Sequence, residues 1–266
     1  MNNIHPSAIV DKSAQVADGV KISPFAIIGP NVKIQAGVEI FPHAYLEHCE
    51  IGSNTIISSG AIIGTAPQDL GYKGELTKVF VGEKCQIREH VTINRASGEG
   101  NSTIVGNNCM LMTGSHVAHN CKLGNDVILA NLATLGGHVS IEDYAFIGGM
   151  VVLHQHVRVG EMAIIGGFSG ARQDIPPYAK TDGRPAGIIG LNSIGLKRRG
   201  MSLEERKQLK AAFNCIWFSD LNTKQGIEKI RQEVPLNKYI EHLIEFIETS
   251  KRGVTKISGK QEYVED

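Results

Sequence analysis

Residues 105–165 read VGNNCM LMTGSH VAHNCK LGNDVI LANLAT LGGHVS IEDYAF IGGMVV LHQHVR VGEMAI I, and the first residue of every group of six is aliphatic. Four positions after each of these residues stands a second side chain that is small or β-branched. No helix has a six-residue period, and an ordinary sheet does not hold one phase over so long a stretch. The pattern is typical of a hexapeptide parallel β-helix, in which each group of six forms one short strand and one turn.

The same phase extends towards the N-terminus with two interruptions. Aliphatic residues recur every six positions from Ile4 to Leu46, then from Ile51 to Ile63 and from Val81 to Ile93. Three such hexads make one triangular coil, and the aliphatic side chains point into the prism, where they stack on the coil below. We therefore predict a mainly β fold, a left-handed parallel β-helix of hexapeptide repeats over residues 1–190, followed by a small α-helical domain.

The repeats break at three places. The segments TAPQDLGYKGELTK (65–78) and RASGEGNST (95–103) leave the phase and return to it, and Pro and Gly end it over residues 171–193. Loops carried by a rigid scaffold often hold binding and catalytic residues, but a tolerated surface insertion would give the same pattern. The sequence leaves both interpretations open for each loop and predicts no regular element from Ala171 to Ser193.

Beyond the repeats the apolar period becomes that of helices. The segment SLEE at residues 202–205 fits a capping box that opens a helix, and further apolar stripes begin near Thr223 and near Leu236. We predict a C-terminal domain of three helices over residues 191–253. The polar segment 254–266 is expected to be a disordered tail.

Composition excludes several classes of protein. The 266 residues carry 27 basic and 27 acidic side chains, and a formal net charge of zero argues against a nucleic-acid-binding protein that relies on bulk electrostatics. The N-terminal segment MNNIHPSAIV lacks the basic and apolar regions of a signal peptide, and no stretch approaches a membrane span. We expect a cytoplasmic protein that is not an integral membrane protein.

The five cysteines show neither disulfide nor metal spacing. Cys85, Cys109 and Cys121 occupy the small-residue position of a hexad, so they are expected to be buried, reduced and unreactive. An acyl-cysteine intermediate is therefore not expected.

Half of the ten histidines fall within the most regular part of the chain; they are His116, His119, His138, His154 and His156. Because one coil takes about 18 residues, His119, His138 and His154 are expected to project at nearly the same angle from successive coils. Such a row is compatible with a zinc site shared between chains and with a general base beside an anionic ligand. The spacing alone does not choose between them.

Several segments make the chain resemble one enzyme family; they are PQDLGY (67–72), GSHVAHNC (114–121), GGHV (136–139), HQH (154–156), SGARQDIPPYA (169–179) and LNSIGLKRRG (191–200). From about residue 4 to Gly253 the chain resembles the UDP-N-acetylglucosamine 3-O-acyltransferases, which catalyse the first step of lipid A synthesis. The resemblance implies a homotrimer with active sites between neighbouring prisms. It also implies an (R)-3-hydroxyacyl group on acyl carrier protein as donor, a UDP-linked amino sugar as acceptor, and neither cofactor nor metal.

The resemblance further implies roles for individual residues. His119, the second histidine of His-x-x-His, matches the catalytic base, and the backbone N–H of Gly137 matches the donor to the oxyanion. Positions that match acceptor-binding residues are Gln68, Asp69, His116, His138, His154, Gln155 and Arg199. Asn192 and Arg198 match phosphopantetheine-binding positions. Gly167 matches the position that sets the depth of the acyl groove, where a glycine leaves room for a chain of roughly 12 to 14 carbons.

Four positions depart from the usual residues of this family. Asn120 follows the base where many members have Asp, and Gly71 stands where a lysine is common. Asn94 replaces a histidine, and Ile194 replaces a frequent acidic residue. Loss of a cation at Gly71 and Asn94 would favour an acceptor with a 3-amino group, which can arrive as ammonium. The sequence leaves the hydroxyl and the amino acceptor both open.

Two other functions stay open on the sequence. Another hexapeptide-repeat acyltransferase would use coenzyme A or a different nucleotide sugar, and it would not need the basic segment Lys197-Arg198-Arg199 beside the cleft. A non-enzymatic or metal-dependent prism, similar to the γ-class carbonic anhydrases, would bind zinc, although the histidine spacing lacks a clean triplet.

Overall fold

Residues 2–257, the part of the chain that the computed structural model describes, form a parallel β-helix followed by four α-helices. The strands are β1 (Asn3–Ile4), β2 (Ile9–Val10), β3 (Gln15–Val16), β4 (Lys21–Ile22), β5 (Ile27–Ile28), β6 (Lys33–Ile34), β7 (Glu39–Ile40), β8 (Tyr45–Leu46), β9 (Cys49–Ile51), β10 (Ile56–Ile57), β11 (Ile62–Thr65), β12 (Lys78–Val81), β13 (Gln86–Ile87), β14 (Thr92–Asn94), β15 (Ser102–Val105), β16 (Met110–Leu111), β17 (His116–Val117), β18 (Lys122–Leu123), β19 (Ile128–Leu129), β20 (Thr134–Leu135), β21 (Ser140–Ile141), β22 (Phe146–Ile147), β23 (Val152–Leu153), β24 (Arg158–Val159), β25 (Ile164–Ile165), β26 (Gly170–Ala171), β27 (Ala179–Asp182) and β28 (Gly187–Leu191). The helices are α1 (Ser193–Arg198), α2 (Leu203–Trp217), α3 (Thr223–Glu233) and α4 (Lys238–Glu248).

The strands form three sheets, which are the three sides of the prism. The first sheet has the order β1-β4-β7-β10-β13-β16-β19-β22-β25-β27-β28, the second β2-β5-β8-β11-β14-β17-β20-β23-β26, and the third β3-β6-β9-β12-β15-β18-β21-β24. Neighbouring coils pair in parallel with an offset of 18 residues where no loop intervenes, as in the pair Ile128 and Phe146. The predicted left-handed parallel β-helix is confirmed.

The aliphatic residue of each hexad faces the inside of the prism, as predicted. Ile28, Leu111 and Ile147 have no solvent-exposed surface, and the same holds for the small second residue Ala133. Each buried Ile, Leu or Val side chain stabilises the fold by about 1.5–3 kcal/mol relative to exposure. Ile4 is 40% exposed because it belongs to the first coil, which has a neighbouring coil on one side.

Both long loops leave the prism at the same edge. The first connects β11 to β12 and the second connects β14 to β15, so each passes from the second sheet to the third. The first loop departs through Gly64, whose φ of +89° lies in the left-handed region. A Cβ at this residue would collide with the carbonyl oxygen of Glu47. Glycine is therefore required where the loop leaves the coil.

The prediction of no regular element over residues 171–193 is wrong. β27 and β28 form an antiparallel hairpin there, and β27 pairs in parallel with β25, so the hairpin extends the first sheet. Pro185 lies in the turn between the two strands, where its missing N–H breaks no ladder hydrogen bond. A short helix that the sequence did not predict, α1, follows directly and is capped by the side chain of Asn192.

The three longer helices begin where the apolar stripes predicted them. α2 starts with the predicted capping box, in which the side chains of Ser202 and Glu205 each bond to the other's backbone N–H. The division into a prism of residues 1–190 and a helical domain of residues 191–253 stays a prediction. Within residues 2–257 we find no helix with the length and apolarity needed to span a membrane.

The first residues of the predicted disordered tail pack against the prism. Val254 and Ile257 form β-bridges with Asp174 and Ile188. Nε1 of Trp217 donates to the carbonyl oxygen of Thr255 at 3.1 Å. The tail prediction is therefore wrong for residues 254–257, because these backbone groups find partners that a local pattern does not reveal. The rest of that segment, 258–266, lies outside the described residues.

Candidate active site

Most predicted site residues lie along the edge between the second and third sheets, which we call the histidine edge. It is formed by the turns that follow β17, β20 and β23, and these turns contain His119, His138 and His156. The two long loops leave the prism at this same edge. The topology therefore brings both loops and the histidines to one place.

Three imidazole rings form a column along the histidine edge. The ring centroids of His119 and His138 are 5.3 Å apart in an edge-to-face arrangement, and those of His138 and His156 are 4.6 Å apart and stacked. The third ring is therefore that of His156, 18 residues after His138, and not the predicted His154. Nδ1 of His154 instead lies 3.3 Å from Nη2 of Arg252.

The metal interpretation of this histidine row gains no support within one chain. Among residues 2–257, no group of three or more His, Cys, Asp or Glu side chains is arranged to hold a metal ion. Burial lowers the pKa of His138, and the neighbouring His156 and His119 lower it further. The column therefore disfavours protonation of its middle ring.

The tautomer of His119 is set by Asn120. Nδ1 of His119 lies 2.8 Å from Oδ1 of Asn120. The orientation of this amide is fixed by Ser97, whose backbone N–H donates to Oδ1 at 3.0 Å and whose carbonyl oxygen accepts from Nδ2 at 3.0 Å. Because the amide oxygen faces the ring, Nδ1 carries the proton and Nε2 of the neutral ring keeps its lone pair. Nε2 can therefore accept a proton.

Nε2 of His119 faces the turn at Gly137. A Cβ at residue 137 would lie 2.5 Å from Nε2 and 2.6 Å from Cε1. Glycine at this position is therefore what permits the present position of the ring. Among the hydrogen bonds between described residues, none uses the N–H of Gly137. The site thus combines a basic nitrogen with an adjacent unpaired backbone donor.

The first loop brings the carboxylate of Asp69 to the histidines. The N–H of Gly71 donates to Oδ1 of Asp69 at 2.9 Å, and the N–H of Tyr72 donates to its carbonyl oxygen at 3.1 Å. The hydrogen bond from Gly71 and then the Ser97 side chain lower the pKa of Asp69, and His119 and His138 act in the same direction. Asp69 therefore carries its negative charge near the base.

Three further predicted residues of the histidine edge differ in exposure. Gln68 is exposed in the first loop, and Gln155 is exposed in the turn after β23. His116 is half-buried with Nδ1 2.7 Å from Oγ1 of Thr92, and burial lowers the pKa of His116. The two glutamine side chains are therefore free to meet a ligand, whereas His116 is held in the wall of the site.

Asn94 supports the first loop from below. Its side chain is 5% exposed, and Nδ2 donates to Oγ1 of Thr65 and to the carbonyl oxygen of Ala66, both at 3.0 Å. An influence of Asn94 on the acceptor would therefore act through the position of the loop.

The predicted arginines lie at a different edge of the prism, between the third and first sheets, which we call the arginine edge. Cζ of Arg199 is 4.1 Å from the ring centroid of Tyr144, and Nη1 is 3.9 Å from Oδ1 of Asp126. Arg198 and Arg199 line a cavity of about 710 Å³ between this edge and the helices. Within one chain, the arginines and His119 are separated by the width of the third sheet.

Asn192 and Gly167 also lie away from the histidine edge. The amide of Asn192 is occupied within the chain, because Oδ1 accepts from the N–H of Gly195 at 3.1 Å and Nδ2 donates to the carbonyl oxygen of Met162 at 2.8 Å. Gly167 is exposed in the turn between β25 and β26, which belongs to the edge between the first and second sheets. Ile194 is 69% exposed on α1.

Two residues of the second loop were not predicted to belong to the site. Ser97 orients Asn120, and Arg95 donates to Tyr72 and to Glu47. Arg95 is 23 and 48 residues away from these two partners. No local pattern indicates contacts over such distances, so the one available signal was their place in a polar loop.

Comparison with known proteins identifies the family. Residues 174–255 match the profile described as UDP N-acetylglucosamine O-acyltransferase, domain 2, residues 102–137 match the bacterial transferase hexapeptide profile, and residues 4–97 match that of the GMPPB C-terminal domain. The acyl-[acyl-carrier-protein]–UDP-N-acetylglucosamine O-acyltransferase of Thermodesulfovibrio yellowstonii is 48% identical over 258 residues, which cover 96% of this chain and 100% of the relative. The enzyme of the same name from Chlamydia trachomatis serovar L2 is 50% identical over 258 residues, covering 96% of this chain and 92% of the relative.

The solved structures agree with the sequence relatives. The crystal structure of a UDP-N-acetylglucosamine acyltransferase from Bacteroides fragilis matches with a TM-score of 0.93 at 40% identity, and the match covers 95% of this chain and 100% of that chain. The similarity includes the prism, both loops and the terminal helices, so it does not depend on one motif. The chain belongs to the UDP-N-acetylglucosamine O-acyltransferase family.

Proposed function

We propose that the chain transfers an (R)-3-hydroxyacyl group from acyl carrier protein to the 3-position of UDP-N-acetylglucosamine, the first step of lipid A synthesis. Family membership supports the class of reaction. The observation that carries the proposal is the bond between His119 and Asn120, which leaves Nε2 of the ring unprotonated beside Gly137.

In the proposed reaction, the sugar hydroxyl gives its proton to Nε2 of His119 while its oxygen attacks the thioester carbonyl. A C–O bond forms, and the carbonyl oxygen becomes an oxyanion that accepts a hydrogen bond from the N–H of Gly137. The C–S bond then breaks, and the leaving thiolate takes the proton back from Nε2. Nδ1 stays bonded to Asn120 throughout, so the ring keeps its orientation. An amide oxygen stabilises the imidazolium less than a carboxylate would.

The substrate contacts follow the arrangement of the histidine edge. We assign Asp69 and Gln68 to the sugar hydroxyls, since both stand on the first loop beside the base. His116, His138, His154 and Gln155 are assigned to the wall of the sugar and pyrophosphate cleft. Arg199 is assigned to the nucleotide phosphates, because the planar guanidinium matches phosphate oxygens. Arg198 and Asn192 are assigned to the phosphopantetheine arm, and Gly167 to the acyl groove.

These assignments require more than one copy of the chain. The base, the arginines and Gly167 lie at three different edges of the prism, and a whole sheet separates each pair of edges. The second sheet also presents aliphatic side chains on its outer face, among them Ile9, 63% exposed, and Val152, 52% exposed. We propose a homotrimer in which neighbouring prisms bring edges of different chains together around each site.

Subunit mixing tests this arrangement. His119→Ala and Arg199→Ala should each be inactive alone, whereas trimers assembled from a mixture should regain activity, because some sites combine an intact base with an intact arginine from the neighbour. Sedimentation of the active enzyme should show a trimer. A monomer at micromolar concentration under active conditions would contradict the proposed homotrimer.

The acceptor carries either a hydroxyl or an amino group at the 3-position, and the structure bears on this choice. The first loop places the charged carboxylate of Asp69 near the base, and residue 71, which stands beside it, supplies no cation. At about 4 Å and an effective dielectric near 20, one unit charge is worth about 4 kcal/mol before screening. We propose that the site accepts the 3-amino analogue of the sugar as well, and forms an amide with it.

An acylation assay decides both points. Purified enzyme is given hydroxyacyl carrier protein and either acceptor, and kcat/KM is compared for the natural chain and Gly71→Lys. We expect turnover of both acceptors and a shift towards the hydroxyl sugar in the variant. A tenfold preference for the hydroxyl sugar that is unchanged in Gly71→Lys would refute the amino acceptor. Equal activity with hydroxyacyl coenzyme A would favour the coenzyme A alternative.

The cytoplasmic location stays a prediction of the same proposal. Four of the described cysteines are free and buried in the prism, namely Cys49, Cys85, Cys109 and Cys121. Free thiols in a core are typical of a reducing compartment, which is also where carrier-protein thioesters are used.

A further inference from the structure

One arginine joins the two loops of the histidine edge. Arg95 stands at the root of the second loop, and its backbone N–H donates to the carbonyl oxygen of Thr65, at the root of the first, at 3.0 Å. Its side chain is 12% exposed. None of the roles assigned to the acceptor or the donor uses this residue.

The guanidinium of Arg95 bonds to three separate parts of the chain. Nη1 donates to Oε1 of Glu47 at 2.8 Å and to the carbonyl oxygen of Gly64 at 2.7 Å. Nε and Nη2 donate to the hydroxyl of Tyr72 at 3.2 and 3.1 Å. A planar fork with several fixed donors can make these bonds at once, whereas the compact ammonium of a lysine cannot.

Tyr72 connects this guanidinium to Asp69. Its hydroxyl accepts from Arg95 and donates to the carbonyl oxygen of Glu75 at 3.1 Å. Its backbone N–H donates to the carbonyl oxygen of Asp69, which closes the turn that also holds the Asp69 carboxylate through Gly71. The place of Asp69 beside His119 therefore depends on where Tyr72 is held.

We propose that Arg95 is a positioning residue for the acceptor. It keeps the first loop closed on the histidine edge through Tyr72, and it thereby places the Asp69 carboxylate beside the base. The inference rests on the proposed function, in which Asp69 binds the sugar. Arg95 also stands two positions before Ser97, whose backbone orients Asn120, so the same side chain fixes the roots of both loops.

Tyr72→Phe is the decisive variant, because it removes the hydroxyl that couples Arg95 to the loop and leaves the Arg95–Glu47 pair intact. Tyr45→Phe is the matched control: the hydroxyl of Tyr45 donates to Oε2 of the same Glu47 at 2.8 Å but is not bonded to the loop. We expect amide hydrogen exchange over residues 66–77 to be about tenfold faster in Tyr72→Phe and unchanged in Tyr45→Phe.

The kinetic readout separates positioning from chemistry. In Tyr72→Phe, KM for the sugar acceptor should rise about tenfold, while KM for hydroxyacyl carrier protein should not change. Arg95→Gln should loosen the loop at least as much, and adding Tyr72→Phe to it should loosen the loop no further, because both changes break the same connection. If Arg95→Gln does not fold, the comparison of Tyr72→Phe with Tyr45→Phe still decides.

Two results would overturn the inference: exchange over residues 66–77 that Tyr72→Phe leaves unchanged, or a faster-exchanging loop with an unchanged acceptor KM. Hydrogen exchange needs no substrate, so it reports on the loop even if the chain catalyses another reaction. An inactive natural enzyme with a loop that Tyr72→Phe loosens would refute the proposed function and support the connection through Arg95.

Discussion

Replacing Gly137 by alanine should push the base out of its place. The added Cβ would lie 2.5 Å from Nε2 of His119, whereas non-bonded heavy atoms rest at about 3.5 Å or more. The backbone at this edge is held by hydrogen bonds from His156 to Gly137 at 2.9 Å and from His138 to His119 at 3.0 Å. The ring must therefore yield, and Nε2 has to move by about 1 Å.

A shift of this size at a reacting group costs on the order of 100-fold in rate, which corresponds to about 2.7 kcal/mol of transition-state stabilisation. The assay is steady-state acyl transfer with hydroxyacyl carrier protein and the UDP-sugar. We expect kcat of Gly137→Ala to fall about 100-fold with little change in Tm, because residue 137 is not among the residues with positive φ and alanine fits its backbone.

Gly170→Ala is the matched control, since the nearest atom to its added Cβ would be Cγ of Arg184 at 3.8 Å, an ordinary contact. Its activity should equal that of the natural enzyme. If Gly137→Ala folds and keeps kcat within about threefold of the natural value, Nε2 of His119 does not act from the observed position and the reasoning is refuted.

Three further predictions follow from the contacts. The Glu142 carboxylate, 2.7 Å from Nε2 of His242, raises the pKa of His242; the pair therefore stabilises the fold fully below about pH 6.5 and loses effect as pH rises through the raised pKa, so Tm should fall over that window and not in His242→Gln. Gly167→Met should shift donor preference to shorter acyl chains, and an unchanged chain-length profile would count against a groove at this residue. Burial raises the pKa of Cys121 to about 12, so iodoacetamide at neutral pH should modify the half-buried Cys215 first, and the buried thiols should react after denaturation; early modification of Cys121, detected by mass spectrometry, would contradict this.

The prism could be predicted from the sequence because its period is a local requirement. One residue in each hexad has to be aliphatic to fill the interior, and the short repeat shows this demand many times. The hairpin β27–β28 could not be predicted, since its prolines and glycines are those that usually end regular structure and its partner strand β25 is supplied by the prism. α1 has six residues, too few for a period, and its cap Asn192 is held by Met162, 30 residues earlier.

The site could be predicted only in part for the same reason. A constant 18-residue coil converts sequence spacing into position, so His119 and His138 could be expected as neighbours. The exact repeat then selects His156 over His154 as the next ring. The contacts of Ser97 and Arg95 depend on how two loops fold against each other, and this information lies in tertiary packing rather than in a period.

The measurement that tests the account most directly is the turnover of His119→Ala. The variant should fold and assemble like the natural chain, as circular dichroism and sedimentation would show. With hydroxyacyl carrier protein and either acceptor, kcat should fall by at least about 100-fold, the usual scale for the loss of a general base. Turnover near the natural value in a folded His119→Ala would contradict the claim that Nε2 of His119 removes the proton of the acceptor.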